Sequence, residues 1–497
     1  MGWLWAKFVD PVKGLFVRND RFSRGVLTVL TGTTICKVIA FAAIPLLSRL
    51  FTPEDFGVLA LFGMMTATCA TIVTWRYEAA VVLPDSDEKA VNLLAVCIGL
   101  STITSVLLWF AFQVWGRDIA LLFGAPDFEF WLKLSPLCIW ATGVWTALRL
   151  WKSRRDDFRS ISVSRVVDTS ALVTTQTGLG LGFQGMLGGL LVGPFIARFA
   201  AVLSIGLSTL RNDGELIRRS LNWQVAREQA IRFIRFPVYD TPASTLSSIS
   251  REMPAGMLGM FFVTQWVGFY SIAYRILSVP VQMLGGAIAQ VYLPVARDAA
   301  AAGRLDKLSL SIFGRLLGVA MTPMIIVAIA APELISVILG PQWVFAGEML
   351  AWLTPSMLAV FVASPLSEIY SILERQQEKL VFNVALFATR VASLGIGGLL
   401  GDPILAVALY SVSGAVFWAL QSVWLLNLSS VPSGTIAKQI FAELLRGIPF
   451  ILFISAIQYR YNSPMKLTAA TFVAIALFFA FRWKEFLGPG KSRQKLF

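Results

Sequence analysis

MLGGLLVGPFIARFAAVLSIGLSTL, residues 186–210, is an apolar run with one charge, Arg198, near its middle. As an α-helix rising ~1.5 Å per residue, it is long enough to cross the ~30 Å hydrocarbon core of a bilayer. An ionised guanidinium there costs several kcal/mol unless it faces a wet cavity or a partner. The same conflict recurs at Lys37, Arg251, Arg275 and Arg390, each near the middle or outer third of another apolar stretch. Five such residues imply an internal, positively charged vestibule suited to a large anion.

Outward from this stretch the pattern repeats along the whole chain. Apolar spans are predicted at 25–48, 57–83, 90–115, 131–150, 165–182, 186–210, 240–262, 267–296, 310–340, 346–373, 380–400, 404–427, 446–459 and 466–482. The 497 residues are 56 % hydrophobic and 14 % charged, with mean hydropathy +0.71; soluble domains carry about 25 % charged residues. The expected fold is therefore an all-α integral membrane protein of about fourteen transmembrane helices, with no room for a soluble catalytic domain.

Charge sets the expected orientation. Between the spans, the outer side holds only Arg49, Arg117, Lys133, Arg460 and Lys466. Most of the 42 Lys and Arg fall at the opposite ends, which places both termini in the cytoplasm. The net charge of +13 is thus topological and does not point to nucleic acid. Segment 1–24 mixes Trp3, Trp5, Phe8 and Phe16 with Lys7, Lys13 and Arg18 and reads as a cytoplasmic amphipathic segment in the headgroup layer. Segment 220–236 interleaves Leu221, Val225, Ile231 and Ile234 with Arg227, Arg232 and Arg235, and reads as a basic amphipathic helix on anionic lipid.

Organisation follows from spacing. Outer links at 183–185, 263–266, 341–345 and 401–403 are short, whereas 151–164, 211–239, 297–309 and 428–445 are longer. LFTPEDFGVLALF at 50–62 and FFVTQWVGFYSIAY at 261–274 each place a turn and a glycine, Gly57 and Gly268, at the start of a span. The links 154–158 and 375–379 follow the fourth and tenth spans alike. Six plus six helices in two pseudo-symmetric lobes around a central cationic cavity, followed by two more, accommodate these facts. The expected division is an N-lobe at 25–210, a cytoplasmic linker at 211–239, a C-lobe at 240–427, a C-terminal helix pair at 428–482 and a basic cytoplasmic tail at 483–497.

The chemistry rests on few residues. Ser250-Arg251-Glu252-Met253-Pro254 pairs a cation and a carboxylate with a proline that removes one helical hydrogen bond; Pro254 and Pro280 are the expected hinges. Span eight adds Tyr270, Tyr274 and Arg275, the tyrosines as candidate sugar-stacking groups or interhelical packing. Thr33 and Thr34 give Lys37 a wetted face. Arg198 and Arg390 are equally readable as substrate contacts or as partners of Asp168, Glu348 or Glu368. A diphosphate needs several donors, and arginine's planar fork presents two at once. Asp168, Glu252 and Glu368 are the carboxylates available for ion coupling or for ion pairs. Arg76 and Glu78, ending span two, read as an inner gate or anchor.

Enzyme signatures are absent. There is no histidine, and Cys36, Cys69, Cys97 and Cys138 have neither metal-ligand nor redox spacing. No metal site or cofactor is expected. Gly178-Leu-Gly-Leu-Gly lies in an apolar span and is a helix-packing pattern. Two alternatives remain: a drug or metabolite exporter of the same architecture, and a membrane-embedded glycosyltransferase or polysaccharide polymerase. The first favours an acidic cavity, and the second a large catalytic outer loop.

RLFTPEDF at 49–56, WRYEAAVVLP at 75–84, FIRFPVYDTP at 233–242, REMP at 251–254, GFYSIAYRILSVP at 268–280 and SPLSEIYSILER at 364–375 form an ordered set. It resembles the bacterial polysaccharide-transporter family, the Wzx-type branch of the multidrug/oligosaccharidyl-lipid/polysaccharide flippase superfamily, over about residues 25–430. The resemblance implies a flippase of the bacterial inner membrane that moves undecaprenyl-diphosphate-linked oligosaccharides for exopolysaccharide, capsule or O-antigen synthesis by ion-coupled alternating access. H+ or Na+ is then the expected coupling ion, a monomer the expected state, and polysaccharide polymerase and chain-length machinery the expected protein partners. Fourteen spans depart from the twelve often drawn for this branch.

Overall fold

The computed structural model describes residues 21–182, 187–460 and 463–482. The expected segments 1–24 (up to residue 20), 183–185 and 483–497 lie outside the described residues. Among the described residues every regular element is helical, and fourteen helices run 18 residues or more. Nine are long and apolar enough to cross a membrane. Two compact units divide the chain, one ending at Ser271 and the other starting at Ile272.

The first unit contains α1 (Arg21–Leu50), α2 (Pro53–Ala70), the single turn α3 (Tyr77–Ala80), α4 (Asp87–Leu122), α5 (Phe128–Arg154), α6 (Phe158–Gly182), α7 (Leu187–Ser220), α8 (Trp223–Arg232), a π-helical turn (Phe236–Asp240), α9 (Thr241–Phe261) and the start of α10 (Thr264–Ala301). Local chemistry sets these boundaries. Thr52 and Asp55 form a capping box ahead of Pro53, satisfying two orphan N–H groups at the start of α2. Ser86 caps α4, where Asp87 and Glu88 complement the helix dipole.

Its packing uses small residues. A Cβ on Gly193 would meet the Gln176 side chain at 2.6 Å, and Gln176 donates to the Leu190 carbonyl at 2.9 Å, so α6 and α7 are close-packed. Of the glycines in Gly178-Leu-Gly-Leu-Gly, Gly180 seats the Phe51 ring, while Gly178 and Gly182 face open space. Tyr77, Leu94, Val144, Trp151 and Ile205 form a buried core. Beside it Lys152, 1 % exposed, pairs with Asp157 at 3.1 Å and Asp213 at 3.5 Å. Asp87 holds Arg154 at 2.9 Å and Arg155 at 2.5 Å. This knot of charges clamps the adjacent ends of α4, α5, α6 and α7.

α9, read from the sequence as the first span of the second lobe, packs with the first unit. Thr71 and Thr245 share a hydrogen bond at 3.2 Å, and a Cβ on Gly256 would meet the Met64 sulfur at 2.7 Å. The first turns of α2 and α10 touch backbone to backbone at Gly57 and Gly268.

The second unit holds the rest of α10, α11 (Leu305–Ile329), α12 (Ala331–Leu339), α13 (Val344–Leu366), the turn α14 (Ile369–Ile372), α15 (Gln376–Leu399), α16 (Pro403–Leu428), α17 (Ser433–Arg460) and α18 (Pro464–Phe481). Ile326, Ala330, Ile454, Leu467 and Ala474 form a buried cluster that ties α17 and α18 to α11. Asp156, inside the first of the two short links that the sequence matched, and Glu374, one residue before the second, both end helices at positive φ (55° and 57°). Asp157 N–H donates to Lys152 O at 2.9 Å and Arg375 N–H to Tyr370 O at 2.8 Å. Each is the left-handed closure that glycine usually supplies.

Several sequence boundaries are corrected. The span expected at 57–83 breaks after Ala70 into turns, with Trp75 and Arg76 both left-handed (φ 53° and 59°). Spans 310–340 and 346–373 each split near their ends. The amphipathic helix expected over 220–236 is only Trp223–Arg232, because Ser220 still belongs to α7 and Asn222 caps the new helix. The segment expected at 446–459 is a helix of 28 residues. Its polar start stays helical because buried Glu443 is neutralised by Arg446 at 2.6 Å and Arg482 at 2.5 Å.

Candidate substrate site

The less apolar long helices carry the chemistry. α5, α6, α9 and α10 fall outside the nine most apolar helices, and they bear Arg149, Arg165 with Asp168, Arg251 with Glu252, and Arg275. A helix polar enough to be a poor lipid neighbour stays stable in a bilayer by turning that face inward.

In the first unit the charges gather around Trp145 of α5. The Arg149 guanidinium, one turn along the same helix, lies 5.4 Å from the indole centroid. Arg198 of α7 lies 5.1 Å from it. The indole N–H donates to Ser164 Oγ of α6 at 3.3 Å. Arg165, the next residue, donates to Thr33 Oγ1 of α1 at 2.5 Å, and Lys37 stands one turn beyond Thr33. A cation over a desolvated indole gains up to about 2 kcal/mol, so Trp145 partly compensates cations that carboxylates do not.

Among the described residues, Asp168 is the one carboxylate in ion-pair range of these cations. Asp168 lies 3.6 Å from Arg198, beyond hydrogen-bond distance, and its Oδ1 is buried without a hydrogen-bond partner. Arg149 Nε is likewise buried and unpartnered. Unpaired donors and an excess of positive charge leave α1, α5, α6 and α7 able to bind an anion carrying several oxygens.

A second polar group closes the end of this cluster. Left-handed Arg76 donates to Asp240 at 2.8 Å and to Glu78 at 3.0 Å. Glu78 also accepts from the Thr74 hydroxyl and lies within electrostatic reach of Arg149. Two consecutive non-glycine residues at positive φ are strained by roughly 1–2 kcal/mol each. The link from Arg76 to the turn before α9 holds them there.

The remaining candidates are more dispersed. Arg251 is exposed on α9, with Ser247 Oγ at 3.4 Å, beside half-buried Glu252. Tyr270 is buried and Tyr274 half-buried. In the second unit Arg275 is exposed on α10 and makes no ion pair among the described residues. Arg390 lies 5.4 Å from the Tyr410 ring, with its Nε buried and unpartnered. Half-buried Glu368 takes the cap position of α14. Pro254 and Pro280 sit inside helices that continue through them.

Sequence reasoning left Asp168 as one of three possible carboxylate partners for Arg198 and missed Trp145, Arg149, Arg165 and Asp240. Arg149 and Arg165 fell at the edges of the predicted spans, where a cation reads as interfacial. The observed helices extend past both edges, Phe128–Arg154 and Phe158–Gly182, and bring both residues inside. The four-residue step from Trp145 to Arg149 was the available signal.

Comparison with known proteins agrees with this architecture. Over 92 % of its length the chain superposes on 99 % of "Lipid II flippase MurJ, inward closed conformation" with a TM-score of 0.71 at 12 % identity. It covers 94 % of "Inward-facing conformation of a multidrug resistance MATE family transporter of the MOP superfamily", with 79 % of its own residues, a TM-score of 0.62 and 14 % identity. These likenesses establish the fold, which this chain shares with those membrane proteins. In sequence it is 21 % identical over 327 residues to the succinoglycan biosynthesis transport protein ExoT of Rhizobium meliloti (strain 1021). That match spans 64 % of this chain and 62 % of ExoT. Residues 46–347, bearing Trp145, Arg149, Arg165 and Arg198, match the family described as "Polysaccharide biosynthesis protein", and the chain belongs to that family.

Proposed function

We propose that this transporter is a flippase moving undecaprenyl-diphosphate-linked oligosaccharides from the cytoplasmic to the periplasmic leaflet of a bacterial inner membrane. The observation that carries the reading is the cluster of Arg149, Arg165 and Arg198 around Trp145, with Asp168 the one carboxylate in ion-pair range of it among the described residues. A diphosphate offers the oxygens that this donor set lacks. The indole face suits a sugar ring when a guanidinium swings away. The polyprenyl tail stays in lipid, so the protein handles only the polar headgroup. Arg251, Arg275 and Arg390 extend the same preference for anions.

Transport against a gradient needs coupling, and Asp168 is the best-placed carboxylate for it. Proton or Na+ binding there would loosen Arg198 and change the charge offered to the substrate. A drug exporter of the same fold is the second reading, favoured by the likeness to a multidrug transporter. It suits cationic cargo, which this cation-rich cluster repels.

The test is headgroup translocation in proteoliposomes with a diphosphate-linked lipid oligosaccharide. Native protein flips it, and Arg149→Ala and Arg275→Ala each lose most of the rate. Absence of flipping together with uptake of cationic dyes would assign the protein to the exporter class.

A further inference from the structure

The connection between α7 and α9 carries a surface that the transport site does not use. α8 follows α7 after two residues, and its buried residues, Ala226 and Gln229, face the unit. Three bonds fix it there: Tyr77 OH to the Ala230 carbonyl at 2.9 Å, Asn92 Nδ2 to the Ser220 carbonyl at 2.7 Å, and the Asn222 N–H to Asn92 Oδ1 at 2.8 Å. The opposite face is bare. Trp223 is 79 % exposed and Ile231 60 % exposed, with Arg227 between them at four-residue steps. Ile234, Val238 and Tyr239 continue the exposed apolar strip. Arg218, Arg227 and Arg235 flank it, exposed and without a carboxylate partner among the described residues.

A tryptophan, an isoleucine and an unpaired arginine on one face of α8, continued by exposed apolar residues and flanked by two more arginines, form an unfavourable surface in water. They suit the boundary between lipid headgroups and acyl chains, where the apolar side chains insert ~5–10 Å and the arginines meet phosphates. Connectivity puts the strip at that boundary, because α8 joins the ends of two long helices. We infer that residues 221–239 dock onto anionic phospholipid headgroups in the leaflet where the arginine-rich helix ends emerge. The docked segment also holds Tyr77 and Asp240, the two neighbours that fix the left-handed Arg76. The charge of the leaflet therefore bears on the break between α2 and α3.

The test places a nitroxide label at Trp223→Cys and, separately, at Ile231→Cys, in the full chain reconstituted with phosphatidylcholine alone or mixed with phosphatidylglycerol. Docking predicts that both labels collide with oxygen and are shielded from a water-soluble nickel chelate, more so with phosphatidylglycerol. Neutralising Arg218, Arg227 and Arg235 to Gln should remove the response to phosphatidylglycerol, each arginine being worth about fivefold in headgroup affinity. Labels open to the chelate in both lipids would overturn the inference, placing the strip in water. Labels shielded from both reagents would also overturn it, assigning the strip to a protein contact. Neither readout depends on the transported substrate, so this result and that of the flipping assay stand apart.

Discussion

Gly57 and Gly268 occupy equivalent places in two helices, and each is the seat for the other helix's first turn. A Cβ on Gly57 would lie 2.0 Å from the Thr264 carbonyl oxygen, and one on Gly268 would lie 1.8 Å from that of Pro53. Pro53 and Thr264 each stand four residues before their own glycine, so the contact is reciprocal. The obstacle on both sides is backbone, which cannot rotate away. Gly57→Ala or Gly268→Ala should therefore destabilise by about 1–3 kcal/mol through overpacking. Thermal unfolding in detergent checks this, and the double variant should cost less than the sum, because one displacement relieves both clashes.

Trp145 makes its own prediction. Removing the ring with Trp145→Ala takes away the contact shared by Arg149 and Arg198, whereas Trp145→Phe keeps a weaker one. Flipping rates should follow Trp, then Phe, then Ala, with Trp145→Ala and Arg198→Ala less than additive. Arg198→Lys should fall between native and Ala, since it keeps the charge and loses the fork. Equal rates for all of these variants would remove the cluster from the substrate path.

A pH effect is expected at the loop before α4. Hydrogen bonding to Arg232 holds the Asp85 carboxyl below its usual range, with Lys89 assisting. Because the folded pKa is the lower one, the stabilising contribution is present above the unfolded value near 4 and fades as pH falls through the folded value. The pair is exposed, so its effect is local. Protection of the Ala230–Phe233 amides from hydrogen exchange should be full at neutral pH, where the pair is formed, and should fall as Asp85 protonates under acid conditions. Asp85→Asn should reproduce the acid behaviour at neutral pH; exchange identical to native would show that the pair holds nothing.

The Glu443–Arg482 pair should be costly to break. Both side chains are buried, and the guanidinium also donates to the Gly318 carbonyl at 3.0 Å. Removing one partner of a buried pair costs about 3–5 kcal/mol, while replacing both by apolar residues is often close to neutral. Glu443→Ala should lower the melting temperature far more than Glu443→Met combined with Arg482→Met.

The fold was legible because a bilayer demands long apolar helices, and every long helix overlaps a stretch that composition picks out. Interruptions were less visible. Residues 71–76 contain no glycine or proline, and their turns depend on the Thr71 hydroxyl donating to the Thr68 carbonyl and on Arg76 reaching Asp240. α17 was underestimated because Glu443 and Arg446 look like loop residues until Arg482 is seen beside them. At the site, burial of Arg198 could be read from hydropathy. Its indole and carboxylate partners come from other helices, and a single sequence carries no direct record of such tertiary pairings.

The same buried pair constrains how the protein is made. Glu443 precedes Arg482 by 39 residues, so during synthesis its charge has only the half-exposed Arg446 beside it until Arg482 emerges. α18 settling alone would strand the Arg482 guanidinium, and α17 settling alone would leave Glu443 with Arg446 only. α17 and α18 are therefore best inserted together, as a hairpin that carries its ion pair already formed.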